Sequence, residues 1–261
     1  MSRQNYYKRR CVRDRRRIDE EFVLWLVRRE RAVQPRLGVR KLFVILRREF
    51  VKGGVSIGRD RLFSLLSRNG LLIRRRRRYC LTTDSRHGFR VYGNLLKDSV
   101  LSGPCQAFVS DITYIRTDEG FMYLPLVMGS YSRAIVGYDC SDSLECEGAL
   151  RSLSMVLRGL GKGSNAIHHS DRGCQYCSVA YVKKLQRWGL RISMTEINHC
   201  YENSQAERLN GIVKQEYGLG RCFAKKSDAL RAVREALSLY NWRRPHQALG
   251  YRCPMEVHSA A

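Results

Sequence analysis

The sequence predicts an α/β protein in which a mixed-sheet domain follows a small all-α domain. Three observations carry this reading. Apolar residues recur at helical spacing through the first seventy or so positions, broken at Pro35, Gly38, Gly53 and Gly54. From Cys105 the pattern turns to β-rich runs and then to alternating helical and strand-like segments. The charge is unevenly divided: residues 1–103 hold 28 Lys and Arg against 9 Asp and Glu, a net of +19, and the rest hold 20 against 15, a net of +5.

That excess is the electrostatic footprint of a nucleic-acid-binding segment joined to a more balanced domain. A ribosomal-type RNA binder is the competing reading of such charge, but those chains are usually shorter and poorer in acidic clusters. At 261 residues and 44% hydrophobic, the chain has room for a real core. Ten cysteines do not imply disulfides in a chain this large and apolar. The opening MSRQNYYKRR has no apolar segment behind it, and no apolar run approaches the roughly 18–20 residues of a membrane span. A reduced, cytoplasmic protein is the expectation.

Residues 1–34 read as a basic N-terminal helical segment. Its first seventeen positions are arginine-rich, flexible or helical only when induced, with the arginines meeting phosphates. Positions 18–31 make an amphipathic helix, acidic in its first turn and basic in its last, as the helix dipole favours. Residues 35–78 follow as a helix-turn-helix domain, with helices near 39–50 and within 56–70. The last of these would be the recognition helix, with Arg59 and Arg61 near its start. A plain bundle with solvated arginines is the alternative. Arg74, Arg75, Arg76, Arg77 and Arg78 would tether phosphates and carry no base information. Residues 79–103 lack sustained periodicity and read as a linker.

Residues 104–225 supply the main domain. CQAFVSDITYI, FMYLPLVMG and SRAIVGYDC are three strands of an antiparallel meander, separated by turn signals. A helix over 144–157, a short strand ending in Asp171, a helix over 178–188, the strand LRISM and a helix within CYENSQAERLNGIVKQEY complete the domain. Three antiparallel strands followed by this alternation is the order of the RNase H-like fold, a mixed five-stranded sheet with flanking helices. Residues 226–261 give a last amphipathic helix, over about 227–243, and a tail packed on the core. Arg243 and Arg244 are expected to face DNA, and His246 to be structural or DNA-contacting.

In that fold Asp111 lies on the first strand, Asp171 just past the fourth and Glu207 on the later helix, so the three can converge. Carboxylates are hard oxygen ligands suited to Mg²⁺, and two such ions about 3.5–4 Å apart can activate a nucleophile and stabilise a leaving oxygen at a phosphodiester. Lys214 projects from the same helical face as Glu207, two turns on, where a phosphate would sit. Asn203 or Ser204 can cap that helix. Cys174 and Cys177 form one Cys-x-x-Cys pair with His168, His169, His199 and Cys200 as conceivable partners; without a second pair it is weak evidence for zinc.

The blocks SDITYI, HHSDRGCQY, SMTEINHCYENSQAERLNGIVKQE and YNWRRPHQALGYRCPMEV resemble the signature blocks of the DDE transposases of insertion-sequence family three. The likeness is to their second reading-frame product, OrfB, which carries the retroviral-integrase-type catalytic core, and it covers residues 35–257. It implies that Asp111, Asp171 and Glu207 are the catalytic, metal-binding triad, 35 residues separating the last two. Lys214 then matches the basic residue at the terminal DNA, and Asn210 an intervening, DNA-facing helix position. The resemblance further implies two Mg²⁺ ions (Mn²⁺ substituting), double-stranded DNA as substrate at element ends and target, and a nucleoid-associated bacterial enzyme. Assembly as a homo-oligomer on two DNA ends and a partner or fused OrfA belong to the same implication. Two positions depart from the family's pattern: Glu202 and Gly129 stand where the family usually has Asp. A nuclease without strand transfer and a catalytically silent, repressor-like DNA binder are the alternatives.

Overall fold

The computed structural model describes residues 3–73, 88–196 and 202–260, and divides the chain into two compact units, 1–76 and 77–261. The arginine run 74–78 and the residues His199 and Cys200 lie outside the described residues.

The first unit holds three helices: α1 (Arg3–Val33), α2 (Val39–Lys52) and α3 (Arg59–Arg68). The helix expected over 18–31 extends back through the arginine-rich stretch as one continuous α1, because nothing in that stretch breaks it. Its C-terminal half turns Val23, Leu26 and Val27 into the same core as Leu42, Leu46 and Phe50 of α2 and Leu62, Leu65 and Leu66 of α3. Gly38 and Gly58 precede α2 and α3 with extended backbone and no side-chain cap, so these helices are held by the packing of their apolar faces.

The second unit is a three-layer α/β/α domain with the RNase H-like order. Strands β1 (Ala107–Thr117), β2 (Gly120–Gly129) and β3 (Ile135–Tyr138) form the antiparallel meander. Then come α4 (Cys146–Gly159), β4 (Ile167–Ser170), α5 (Cys174–Cys177), α6 (Val179–Arg187), β5 (Arg191–Met194) and α7 (Ser204–Glu216). A two-residue β6 (Cys222–Phe223), α8 (Lys226–Trp242), a 3₁₀ turn (Gln247–Leu249) and α9 (Pro254–His258) complete the order. The sheet runs β3-β2-β1-β4-β5, with β4 and β5 parallel to β1, and β6 pairing with β1 off that path.

Side chains alternate across β1. Val109 and Ile115 join α7 and α8 in one core, with Leu209, Val213, Val233 and Leu237. Phe108 joins α4 and α6 in the other, with Leu153, Leu157, Tyr181 and Leu185. The run Leu124–Met128 of β2 is apolar on both faces because helices cover both. The expected linker is partly pinned to the sheet: the Leu95 amide donates to Ser193 Oγ at 2.9 Å and the Asn94 amide to Glu196 Oε1 at 3.0 Å. Among the described residues no helix is long and apolar enough to cross a membrane.

β3 approaches α4 closely at Gly137. A Cβ added there would meet the Ser152 carbonyl and stand 2.8 Å from Val156 Cγ2. Gly137→Ala is therefore expected to lower stability by about 1–3 kcal/mol through overpacking, read as a drop in melting temperature with DNA binding unchanged.

Candidate active site

The register of the two central strands builds the site. β1 and β4 run parallel with Ser110 opposite Ser170, so Asp111, still paired with β2, stands beside Asp171, the first residue past β4. Beyond that point the flank of β1 is open: β4 covers residues 107–110, β6 covers 116–117, and no described strand pairs with the stretch between on that side. α7 packs against β1 and brings Glu207 to the same end.

Two of the three carboxylates are held by hydrogen bonds. Asp111 Oδ1 accepts from the Ile112 amide at 2.8 Å and its Oδ2 from Asn210 Nδ2 at 2.8 Å. Asp171 Oδ1 accepts from the Gly173 amide at 3.0 Å. Burial, the neighbouring Asp171 and, more weakly, Glu207 push the Asp111 carboxyl up to about 8, against the opposing hydrogen bonds from Ile112 and Asn210. Glu207 is more exposed, and its carboxyl is raised by desolvation first and Asp171 second. The three acids therefore stand close enough to repel one another. Among the described residues no three His, Cys, Asp or Glu side chains are drawn to metal-ligand separation, and Cys174 is exposed while Cys177 is buried.

A buried layer supports them. Ser110 Oγ meets His168 Nε2 at 2.8 Å, and the Tyr181 hydroxyl meets the same nitrogen at 2.9 Å. Burial and the adjacent His169 push the His168 imidazole down to about 3, so it stays neutral and orders the strands without moving protons. Tyr176, 2% exposed, lines a 370 Å³ cavity shared with Asp111 and Asp171. Its hydroxyl finds no hydrogen-bond partner among the described residues.

Sequence reasoning put several residues elsewhere. Asn203 does not cap α7 with its side chain; its Nδ2 donates 3.1 Å to the Ser110 carbonyl. Asn210, expected at DNA, turns its amide inward to Asp111. Lys214 Nζ stands 4.2 Å from the Tyr114 ring centroid, beside the cavity. Arg244 does not face DNA: it is 3% exposed and grips both Glu216 carboxylate oxygens at 2.8 and 3.0 Å, fastening the end of α7 to the segment after α8. Local composition cannot tell Arg244 from the exposed Arg243, since the partner lies 28 residues away. In the other unit, Arg59 opens α3 beside Asp60 at 2.9 Å, and Arg61 lies 3.9 Å from Glu20 of α1. Both are exposed enough to meet solvent. The aromatic wall Tyr114, Phe121 and Tyr123 was not among the sequence expectations; its signal was Phe121 and Tyr123 at alternate positions at the start of β2.

With this geometry in view, comparison with known proteins is informative. Integrase core domain families match residues 102–200 and 188–254. The chain is 32% identical over 97% of its length, and 93% of the relative's, to the insertion element IS600 31 kDa protein of Shigella sonnei. It is 30% identical to the transposase for insertion sequence element IS629 of Shigella sonnei, covering 85% of this chain and 74% of that one. It is also 38% identical to transposase InsF for insertion sequence IS3A of Escherichia coli, over 64% of this chain and 58% of that one. Among solved structures, a chain of the simian T-cell lymphotropic virus intasome superposes with a TM-score of 0.51 at 14% identity, covering 85% of this chain and 70% of its own, which is a likeness of fold.

Two outcomes follow from the geometry. In a metal-free buffer, between the ordinary carboxylate value of about 4 and about 8, folded Asp111 holds a proton that the unfolded chain has released. Stability should therefore fall as pH rises across that window, and Asp111→Asn should flatten the slope of melting temperature against pH. Separately, Arg244→Ala removes the buried half of the Arg244–Glu216 ion pair and should cost about 3–5 kcal/mol in a denaturant melt, whereas Arg243→Ala, at an exposed position, should cost distinctly less.

Proposed function

Because the chain belongs to insertion-sequence family three of the integrase-core transposases, we propose that Asp111, Asp171 and Glu207 are its catalytic triad. The activity is polynucleotidyl transfer: cleavage at element ends and joining of the freed end to target DNA. The observation that carries the assignment is the register that sets Ser110 opposite Ser170, and so Asp111 beside Asp171 where β1 loses β4, with the helix of Glu207 packed on the same strand.

The donor set suits a divalent cation. All three residues offer hard oxygens, Asp111 and Asp171 keep acceptor capacity beyond the hydrogen bonds described, and a dication would relieve the repulsion that protonates Asp111. When bound, two Mg²⁺ ions, or Mn²⁺ in their place, supply the Lewis acidity that lowers the pKa of a water and then of a 3′-hydroxyl, and neutralise charge at the leaving oxygen. The chain's own residues do the positioning. Asn210 and the Ile112 amide hold the two oxygens of Asp111, and the Gly173 amide fixes one of Asp171. Lys214 meets a backbone phosphate beside Tyr114. Asn203 holds the start of α7 on β1.

The helical first unit, with Arg59 and Arg61 on its surface, is the DNA-binding helix-turn-helix in this proposal. The arginine run 74–78 and Arg243 add phosphate contacts. Assembly as an oligomer on two DNA ends, with OrfA as partner or fusion, completes the reading.

The test is a joining assay with labelled duplexes taken from the two flanks of the gene. Asp111→Asn, Asp171→Asn and Glu207→Gln should abolish joined products while duplex binding persists. Asn210→Ala should retain folding and lower joining about 10- to 100-fold, as loss of a ligand-orienting partner does. Binding should weaken with salt at a log–log slope of about −0.9 per neutralised phosphate. Cut but never joined DNA from the unaltered chain would sink strand transfer, and undiminished joining by Asp111→Asn would sink the triad.

A further inference from the structure

The cavity beside the carboxylates is larger than the ion chemistry needs and differs from it in character. It measures 370 Å³, and past Asp111 and Asp171 its lining includes Tyr114, Phe121, Tyr123 and Tyr176. The aromatic side chains share one face of the β1–β2 hairpin. Tyr114 pairs with Tyr123, and Phe121 lies two residues along opposite Arg116, so all three project the same way. Tyr114 and Phe121 meet edge to face at 5.7 Å, and Phe121 is 50% exposed. The Lys214 ammonium rests 4.2 Å from the Tyr114 ring centroid. The buried Tyr176 hydroxyl is left without a hydrogen-bond partner among the described residues.

We infer that this cavity receives one unstacked nucleobase of the DNA strand whose phosphate lies at Asp111 and Asp171. The inference rests on the proposed triad, which sets where the phosphate sits. A volume at the small end of the usual small-ligand range of roughly 300–1,000 Å³ admits one flat ring system and excludes a duplex. Paired bases show only their edges, so an aromatic wall can stack on a base only after it leaves the helix. The occupant's chemistry follows from the surroundings. Its ring faces meet Phe121 and Tyr123, and the attached phosphate has a cation at the rim in Lys214. A peptide or lipid chain would satisfy the aromatic wall but not the carboxylate-and-lysine mouth with which it is continuous. An extruded base next to the reacting phosphate would also hold that phosphate in one register.

The experiment uses the full chain and duplexes from the flanks of its gene, with 5-iodouracil placed singly at successive positions around the joined phosphate, either paired or mismatched. Ultraviolet cross-links mapped by mass spectrometry should fall on Phe121 or Tyr123 from one or two adjacent positions, more strongly when the base is mismatched. Phe121→Ala should weaken binding to the mismatched duplex about 5- to 100-fold and to the paired duplex distinctly less. Tyr123→Leu, which keeps bulk but loses the stacking face, should show the same bias. Cross-links that avoid the hairpin, or equal weakening on both duplexes, would overturn the pocket. Asp111→Asn should lose joining yet keep the cross-link. Failure of the triad, seen as joining that survives Asp111→Asn, is therefore read separately from failure of the pocket.

Discussion

The structure depends on the way α7 is pinned along β1. Asn203 reaches the Ser110 carbonyl, Asn210 reaches the Asp111 carboxylate, and Lys214 covers the Tyr114 ring. On the helix these residues and Glu207 stand at i, i+4, i+7 and i+11, one face of a 3.6-residue repeat. Eleven residues of helix advance roughly 16 Å, and the strand from Ser110 to Tyr114 advances roughly 13 Å. The helix can therefore run beside the strand and keep both ends of its polar face in contact. The opposite side of α7 buries Ala206, Leu209, Ile212 and Val213, which removes the helix's freedom to roll. Glu207 owes its place to that immobility, since the side chain itself is largely in solvent.

Electrostatics point the same way. The chain carries +24 overall, yet gathers three acids where its central strand is open. Such a cluster is unfavourable for an isolated fold, and burial sharpens the repulsion on Asp111. The hydrogen bonds from Asn210 and the Ile112 amide oppose this only in part, because the carboxyl still stands far above its ordinary value. DNA cannot relieve the strain directly, for it brings more negative charge. A proton on Asp111 relieves part of that repulsion, and a cation between the acids and the phosphate, as proposed above, would relieve more of it.

Much of this was legible in the sequence because the relevant patterns are short-ranged. The meander, the order of helices and strands, and the places of Asp111, Asp171 and Glu207 on them follow from alternation, helical spacing and turn residues. Features set by distant partners were not legible. Arg244 looked like its neighbour Arg243 until Glu216 was seen to hold it. Asn203 looked like a cap, since the rule for caps is local and the Ser110 carbonyl is 93 residues away. β6 is two residues long and has no period to detect. The stretch around Asn94 carries no periodicity, so only its hydrogen bonds to Ser193 and Glu196 reveal that it lies on the sheet edge.

The open flank of β1 explains why one small region holds both carboxylates and aromatic rings. Odd-numbered residues of β1 face α7 and α8, and even-numbered ones face α4 and α6. Asp111 thus belongs to one side of the sheet and Tyr114 to the other, and a fully paired strand would keep them apart. Between the end of β4 and the start of β6 nothing described closes the edge, so Lys214 from α7 can pass round it to reach Tyr114. The cavity likewise takes carboxylates from one face and aromatic rings from the other. A one-residue slip of β1 against β4 would exchange the faces and scatter the set. The buried contacts of His168 with Ser110 and Tyr181 resist that slip, since breaking them would leave polar groups unpaired in the core. Register, rather than any single acidic residue, is what the supporting layer protects.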